Sequence, residues 1–137
     1  MQDDYDDKRE RIYGNNDVTG PDASHGTHVA GIVAAVRGND VGMDGVATAV
    51  RIMSVRTVPN GDERDKDVAN AIRYAVANGA DVINMSFGKK YSPHKKVVDA
   101  AAQYADTIGV LIVHAAGNHG AHTDPTDHLP PPYSHAR

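Results

Sequence analysis

The sequence predicts an α/β fold, a three-layer α/β/α arrangement built on a parallel sheet. Three observations lead there. Helical and extended patterns alternate along the chain in the order α-β-α-β-α-β. The segments between extended runs are long enough for crossover helices, which parallel strands require. The last extended run, Val110, Leu111, Ile112 and Val113, carries no charge, as expected of a strand central in its sheet and covered on both faces.

The first helical pattern follows Ser24, a suitable N-cap. Val29, Ile32, Val33 and Val36 recur at i, i+3, i+4 and i+7, the spacing of one buried face, and Gly38 with Asn39 supplies a stop. Residues 50–58 alternate well enough for a strand, and Pro59, Asn60, Gly61 and Asp62 form a turn signal. A second helix is predicted over residues 64–78. Its apolar positions are Val68, Ile72, Ala75 and Val76, acidic residues cluster at its start where they complement the dipole, and Gly79 stands at its end. Residues 82–87 read as a second strand. Ser92 and Pro93 offer a cap and a first-turn proline for a third helix reaching about Ile108, stopped by Gly109.

Composition narrows the function classes. The chain has 137 residues, 40% hydrophobic and 23% charged, as in a soluble globular domain. A net charge of -4 and a pI near 6.0 argue against a nucleic-acid surface and against an electrostatic membrane footprint. Without cysteine there is no disulfide, thiolate or zinc–cysteine chemistry. No apolar run is long enough to span a bilayer. The acidic start, Met1 to Asp7, does not have the character of a signal peptide. The organisation read from this is one partial domain over 1–137: an acidic, turn-rich lead-in over 1–24, an α/β core over 25–118, and an irregular tail rich in His and Pro over 119–137.

Chemistry concentrates in three places. The first is His25-Gly26-Thr27-His28-Val29-Ala30-Gly31, at the start of the first helix. A histidine there is held rigidly, and the positive end of a helix dipole favours neutral imidazole, the form that accepts protons. Glycine inside a helix costs about 1 kcal/mol against alanine, so Gly26 and Gly31 suggest a close packing contact. The alternative is a histidine pair on an ordinary helix. The second is Ile83-Asn84-Met85-Ser86-Phe87-Gly88, an apolar strand running into glycine, which also suits a plain buried strand. The third is Ala115-Ala116-Gly117-Asn118 after the last strand, which also suits a turn with a permissive Gly-Asn pair.

Taken together and in this order, the three motifs resemble those of the subtilases, the subtilisin-like serine proteases, over roughly residues 9–118. The resemblance implies an incomplete subtilisin-like α/β domain and serine endopeptidase chemistry through a Ser-His-Asp triad. His25 matches the general base of that triad, while His28 matches a structural histidine. Asn118 matches the side-chain donor to the tetrahedral oxyanion. Ser86, Phe87 and Gly88 match the strand that lines the substrate cleft, where an extended peptide pairs by β-augmentation. Ala116 and Gly117 match the wall of the primary specificity pocket. Peptides or proteins are the implied substrates. No cofactor is required, structural calcium is possible in the complete domain, and complete members are commonly secreted.

The departures are equally specific. The aspartates before His25 are 3, 4, 6, 7, 17 and 22, and none follows an apolar strand; Asp17-Val18-Thr19-Gly20 is a distant echo of the family's acid motif. The five serines are 24, 54, 86, 92 and 134, and none stands in a Gly-Thr-Ser helix start. On this reading the chain begins beyond the family's aspartate and stops short of its serine. The alternative function is then an inactive fragment that at most binds peptides. A histidine-rich metal site at His119 and His122 is a third possibility, with His114 read as a core histidine and no metal ligand assigned.

Overall fold

The computed structural model describes residues 7, 9–58, 61, 63–89 and 91–118. They fall into two compact units: a smaller one over Asn15–Arg56 and a larger one made of the described residues of 1–14 and 57–118. Five elements occur in chain order: α1 (Ser24–Ala34), α2 (Asp65–Ala77), β1 (Val82–Met85), α3 (Lys95–Ile108) and β2 (Leu111–His114).

The larger unit contains the core. β1 and β2 pair in parallel, with Val82 opposite Leu111 and Met85 opposite His114, and α3 is the crossover between them. α2 and α3 pack on each other, and both contribute to one cluster with the strands: Val68, Ala69, Ile72 and Val76 from α2, Val98, Ala101 and Ala105 from α3, then Met85 and Val110. Val68, Ile72 and Val98 are the largest fully buried side chains. Each contributes about 1.5–3 kcal/mol by leaving water. The alanines of α3 let α2 approach closely, because they bring no side chain beyond Cβ. Along β1 and β2 alternate residues are shielded; Ile83, Met85 and Ile112 face the helices, while Val82, Leu111 and Val113 are exposed.

The α/β class and the parallel sheet are thus present in incomplete form, with one sheet face open within this unit. β2 is not the doubly covered central strand that its uncharged run suggested, since Leu111 remains 60% exposed. The strand expected over 50–58 is not formed. A strand exists only where its backbone groups find a partner, and the only strand pairing among the described residues is between β1 and β2.

Helix ends follow local chemistry with two corrections. α3 ends at Gly109, whose φ of 89° is a left-handed cap that glycine adopts without Cβ strain. Gly79, just past α2, has φ 80°. Asp65 and Asp67 occupy the first turn of α2. Ser24, expected as a cap, is instead the first residue of α1, and Asp22 accepts its backbone N–H at 2.8 Å. Ser92 does not cap α3, which starts at Lys95 after His94.

The N-terminal segment is fastened to α2 by polar contacts. The Tyr13 hydroxyl donates to Asp67. Asn70 Nδ2 donates to the Tyr13 hydroxyl and to the Glu10 carbonyl, each at 3.0 Å. Lys66 Nζ lies 3.3 Å from Glu10 Oε2 and 4.6 Å from the centre of the Tyr13 ring. Lys66 is buried, so its ammonium depends on this carboxylate and ring face to replace water.

The smaller unit has no comparable core. No residue of α1 is buried, and the expected apolar face is open, with Ile32 55% and Val36 69% exposed. Exposed apolar surface on this scale favours association. We expect the isolated chain to bind a hydrophobic dye and to associate as concentration rises. Amide exchange should be slowest at Ile72, Val98 and Ala101 and faster, though still protected in α1, across 15–56. A monomeric sample with a single sharp melt and uniform protection across both units would contradict this.

Candidate active site

The site residues predicted from sequence fall on both units. His25 is the second residue of α1, exposed, and His28 follows it, also exposed. The close approach expected at Gly26 and Gly31 is not realised: a Cβ at either would meet no atom within 4 Å. The approach occurs at Gly45 instead. There a Cβ would lie 2.3 Å from the backbone nitrogen of Ala35 and 2.7 Å from the carbonyl carbon of Ala34.

That contact explains where α1 stops. Beyond Ala35 the chain turns through Asp40, at φ 57°, and returns along the last turn of the helix. The N–H groups of Gly45, Val46 and Ala47 donate to the carbonyls of Ala35, Ile32 and Val33 at 3.1, 3.0 and 2.8 Å. Arg37 Nη1 donates to the Gly45 carbonyl at 3.1 Å. These bonds satisfy carbonyls that a helix end leaves without partners. They also end α1 at Ala34, before the predicted stop at Gly38 and Asn39.

The other site residues lie together on the larger unit. Ser86, Phe87 and Gly88 leave the C-terminal end of β1; Ala115, Ala116, Gly117 and Asn118 leave the C-terminal end of β2. Because the strands are parallel neighbours in register, both segments emerge on the same edge. The Ala115 N–H donates to the Met85 carbonyl at 3.2 Å, extending the ladder to that edge. Gly117 adopts φ 87°, which turns the chain sharply before Asn118. Ala115 to Asn118 are exposed. Asn84 Nδ2 donates to Ser86 Oγ at 2.8 Å, and Phe87 packs partly buried against the core.

A buried cluster beside this edge escaped the sequence reading. Asp65, taken there only as a complement to the helix dipole, has its side chain 2% exposed, and Lys89 Nζ lies 2.8 Å from its Oδ1. The backbone N–H of His94 donates to Asp65 Oδ2 at 2.7 Å. Lys89 also donates to the Glu63 carbonyl. Burial pushes the Asp65 carboxyl up, but Lys89, the His94 N–H and the Ser92 hydroxyl outweigh it and hold the group below its ordinary 3.8. An aspartate at a helix start was the available sequence signal. Its partners are remote in sequence and could not be paired with it by spacing.

Asp17 takes the N–H groups of Thr19 and Gly20 and the Thr19 hydroxyl on one oxygen. These bonds, that from Gly20 first, lower its pKa. The carboxylate thus serves its own turn. Ser24 and Ser54 lie in the smaller unit, and Ser86 and Ser92 in the larger. His119, His122, His128 and His135 lie outside the described residues, as does Ser134. Among the described residues no three His, Asp or Glu side chains gather to hold an ion. No helix among the described residues is long and apolar enough to cross a membrane.

In open α/β sheets the carboxyl ends of parallel strands are where ligand sites form, and two of the three motif segments leave the sheet at that end. The chain belongs to the subtilase family, whose sequence profile matches residues 1–134. It is 45% identical over 101 residues to the thermophilic serine proteinase of Bacillus sp. (strain AK1), covering 73% of this chain and 25% of that protein. It is 41% identical over 108 residues to thermitase of Thermoactinomyces vulgaris, covering 77% of this chain and 38% of thermitase. Subtilisin E of Bacillus subtilis (strain 168) is 38% identical over 102 residues, 72% of this chain and 26% of that protein. The chain therefore spans between a quarter and two-fifths of these relatives.

The return strap at Gly45 sets the end of the helix that carries His25. Gly45→Ala places a methyl group against α1 backbone, which cannot move aside as a side chain would. We expect a loss of about 1–3 kcal/mol in local stability. It should be read as amide exchange in α1 accelerated by about 10- to 100-fold, with α2 and α3 unaffected. Gly42→Ala, where a Cβ would meet no atom within 4 Å, controls for loss of a glycine alone. Its φ of 68° adds backbone strain, so an effect at Gly42 larger than at Gly45 would remove the close-contact explanation.

Proposed function

We propose that this segment belongs to a serine endopeptidase that hydrolyses peptide bonds in peptide or protein substrates by acyl transfer to serine and then to water. The observation that carries the reading is the shared edge at the ends of β1 and β2. Ser86, Phe87 and Gly88 supply an extended wall there, along which a peptide backbone can pair. Ala116 and Gly117 leave space beside it for a substrate side chain. Asn118, just past the turn at Gly117, is the donor to the oxyanion, and its carboxamide N–H is worth most when negative charge develops on the carbonyl oxygen. His25 is the general base that takes the serine proton and returns it to the leaving amine. The two units are read as parts of one peptidase domain, with 1–24 as lead-in, 25–118 as motif-bearing core and 119–137 as tail.

No cofactor is needed for this chemistry, and neither nucleic acid nor membrane is a proposed partner. Export of the complete protein is proposed from the family, and one relative, 38% identical over 100 residues, is the minor extracellular protease Epr of Bacillus subtilis (strain 168).

A second reading applies to the chain on its own. None of its five serines stands in a nucleophile motif, and Ser24 and Ser86 serve a helix start and a side-chain bond. The 137-residue chain is therefore proposed to be inactive, at most binding peptides. Incubated with a fluorophosphonate probe, it should keep its intact mass and show no peptidase turnover. A full-length protein carrying the segment should be labelled and should cleave casein. An adduct on one of the five serines, lost in His25→Ala, would overturn the inactive reading; a full-length protein that neither labels nor cleaves would overturn the peptidase reading.

In that full-length protein, Asn118→Ala should lower kcat far more than it raises KM, because the bond strengthens in the transition state. Subtilisin itself is the reference case for such a donor, where removal costs about 10²–10³ in kcat. A change confined to KM would assign Asn118 to ground-state binding.

A further inference from the structure

We propose that Lys89 and Asp65 are positioning residues for the substrate wall at 86–88: their buried ion pair fixes the place of Phe87 and Gly88. The proposal rests on reading that segment as the peptide-binding wall. It names residues outside the motifs that define the family resemblance.

The geometry joins three stretches of chain. Lys89 follows Gly88 directly, so anchoring its side chain fixes the backbone where the wall ends. Its ammonium lies 2.8 Å from Asp65 Oδ1, with side-chain exposures of 16% for Lys89 and 2% for Asp65. It also donates to the carbonyl of Glu63, just before α2. Asp65 in turn accepts the His94 N–H at 2.7 Å, from the residue preceding α3. The wall is therefore tied at once to the starts of α2 and α3, the two helices that form the core. On its other side it is held by Phe87 against that core and by β1.

A buried ion pair is a poor source of net stability, because desolvating both charges offsets most of their attraction. It is a good source of position. Removing either partner leaves a charge uncompensated in a low-dielectric site, so the surrounding chain must open to water. An apolar contact would tolerate sliding of the wall by an ångström; the Lys89 ammonium, held between a carboxylate and a carbonyl, does not.

The position of the wall then depends on Asp65 being ionised. The charged and titratable groups around that carboxylate are Lys89 after β1, His94 and Lys95 at the start of α3, and Glu63, Arg64 and Lys66 beside it in sequence. Lys95 Nζ is engaged with Asp99 at 2.8 Å and Lys66 with Glu10 at 3.3 Å, while Lys89 lies 2.8 Å from Asp65 Oδ1. Because the folded-state pKa of Asp65 is held below its ordinary 3.8, the clasp is complete above that value. It is lost as pH falls through the lowered one.

Phe87 is the one phenylalanine in the chain, so 4-fluorophenylalanine gives the full 137-residue protein a single ¹⁹F resonance on the wall itself. At neutral pH the resonance should stand well away from its position in urea, and acidification should move it there with a midpoint below 3.8. Lys89→Met should move it more than half of that distance at neutral pH while helical circular dichroism is retained. Lys89→Arg, which keeps the charge, should restore it. An unmoved resonance in Lys89→Met, or one that moves only in step with loss of helix, overturns the positioning role. A blocked, extended alanine–valine hexapeptide is titrated in parallel. A wild-type resonance that answers to Lys89→Met but not to this peptide sinks the reading of 86–88 as a peptide wall, and with it the substrate role of the clasp. A shift on peptide addition, absent in Lys89→Met, supports both.

Discussion

The parallel pairing of β1 with β2 is the constraint on which the described site depends. Parallel strands cannot be joined by a tight turn, so α3 must cross between them, and its return fixes both the register and the direction of the two chain exits. Both exits then fall on one edge: the segment from Ser86 on one side, the segment ending in Asn118 on the other. The pairing survives because the crossover helix is sealed from water. Val98, Ala101 and Ala105 are fully buried, and their small volume lets α2 lie close enough to complete the seal. The placement of the proposed site residues at this edge is thus a consequence of packing beneath it, as for ligand sites in open α/β sheets generally.

Polar contacts add what apolar packing does not, namely a single position for chain that has left the regular elements. The Tyr13, Asn70, Glu10 and Lys66 contacts bring an N-terminal segment onto α2, and the Asp65 cluster brings the end of the wall onto the same helix from another side. α2 is therefore buried by its apolar stripe and bound by its first turn. Asp65 and Asp67 in that turn were read as partners of the helix dipole. They do lie where a dipole favours acids, but each is engaged by a specific group from elsewhere in the chain.

What could be read from the sequence divides along the same physical line. α2 and α3 were legible because their buried positions repeat with helical period, and Gly79 and Gly109 mark their ends by adopting positive φ. The three motifs were legible as family resemblance, and the family is borne out. Features that depend on distant partners were not legible. Ser92 looks like a cap, yet α3 starts only at Lys95, after His94. Residues 50–58 have the alternation of a strand and no partner strand. Gly26 and Gly31 looked like contact glycines, whereas the contact falls on Gly45, whose need for a missing Cβ appears only when the chain folds back on α1.

The two units place opposite demands on the proposed catalytic parts. The proposed wall and Asn118 stand at the end of a packed βαβ core, and the wall is tied further by the Lys89–Asp65 pair. His25 stands on a helix fixed at its C-terminal end by backbone bonds from residues 45–47, with its apolar stripe, Ile32, Val33 and Val36, still in water. A general base acts only when held within hydrogen-bond reach of the proton it removes, and a helix free along its apolar side is not held to that tolerance. Burying the stripe would remove apolar surface from water and, by the same movement, fix the ring that starts the helix. On the proposed reading, covering the stripe of α1 and holding His25 as the base would be a single physical event. The proposed oxyanion donor and wall stand instead where the ladder between β1 and β2 ends, with Lys89 and Asp65 tying the wall to the helix starts.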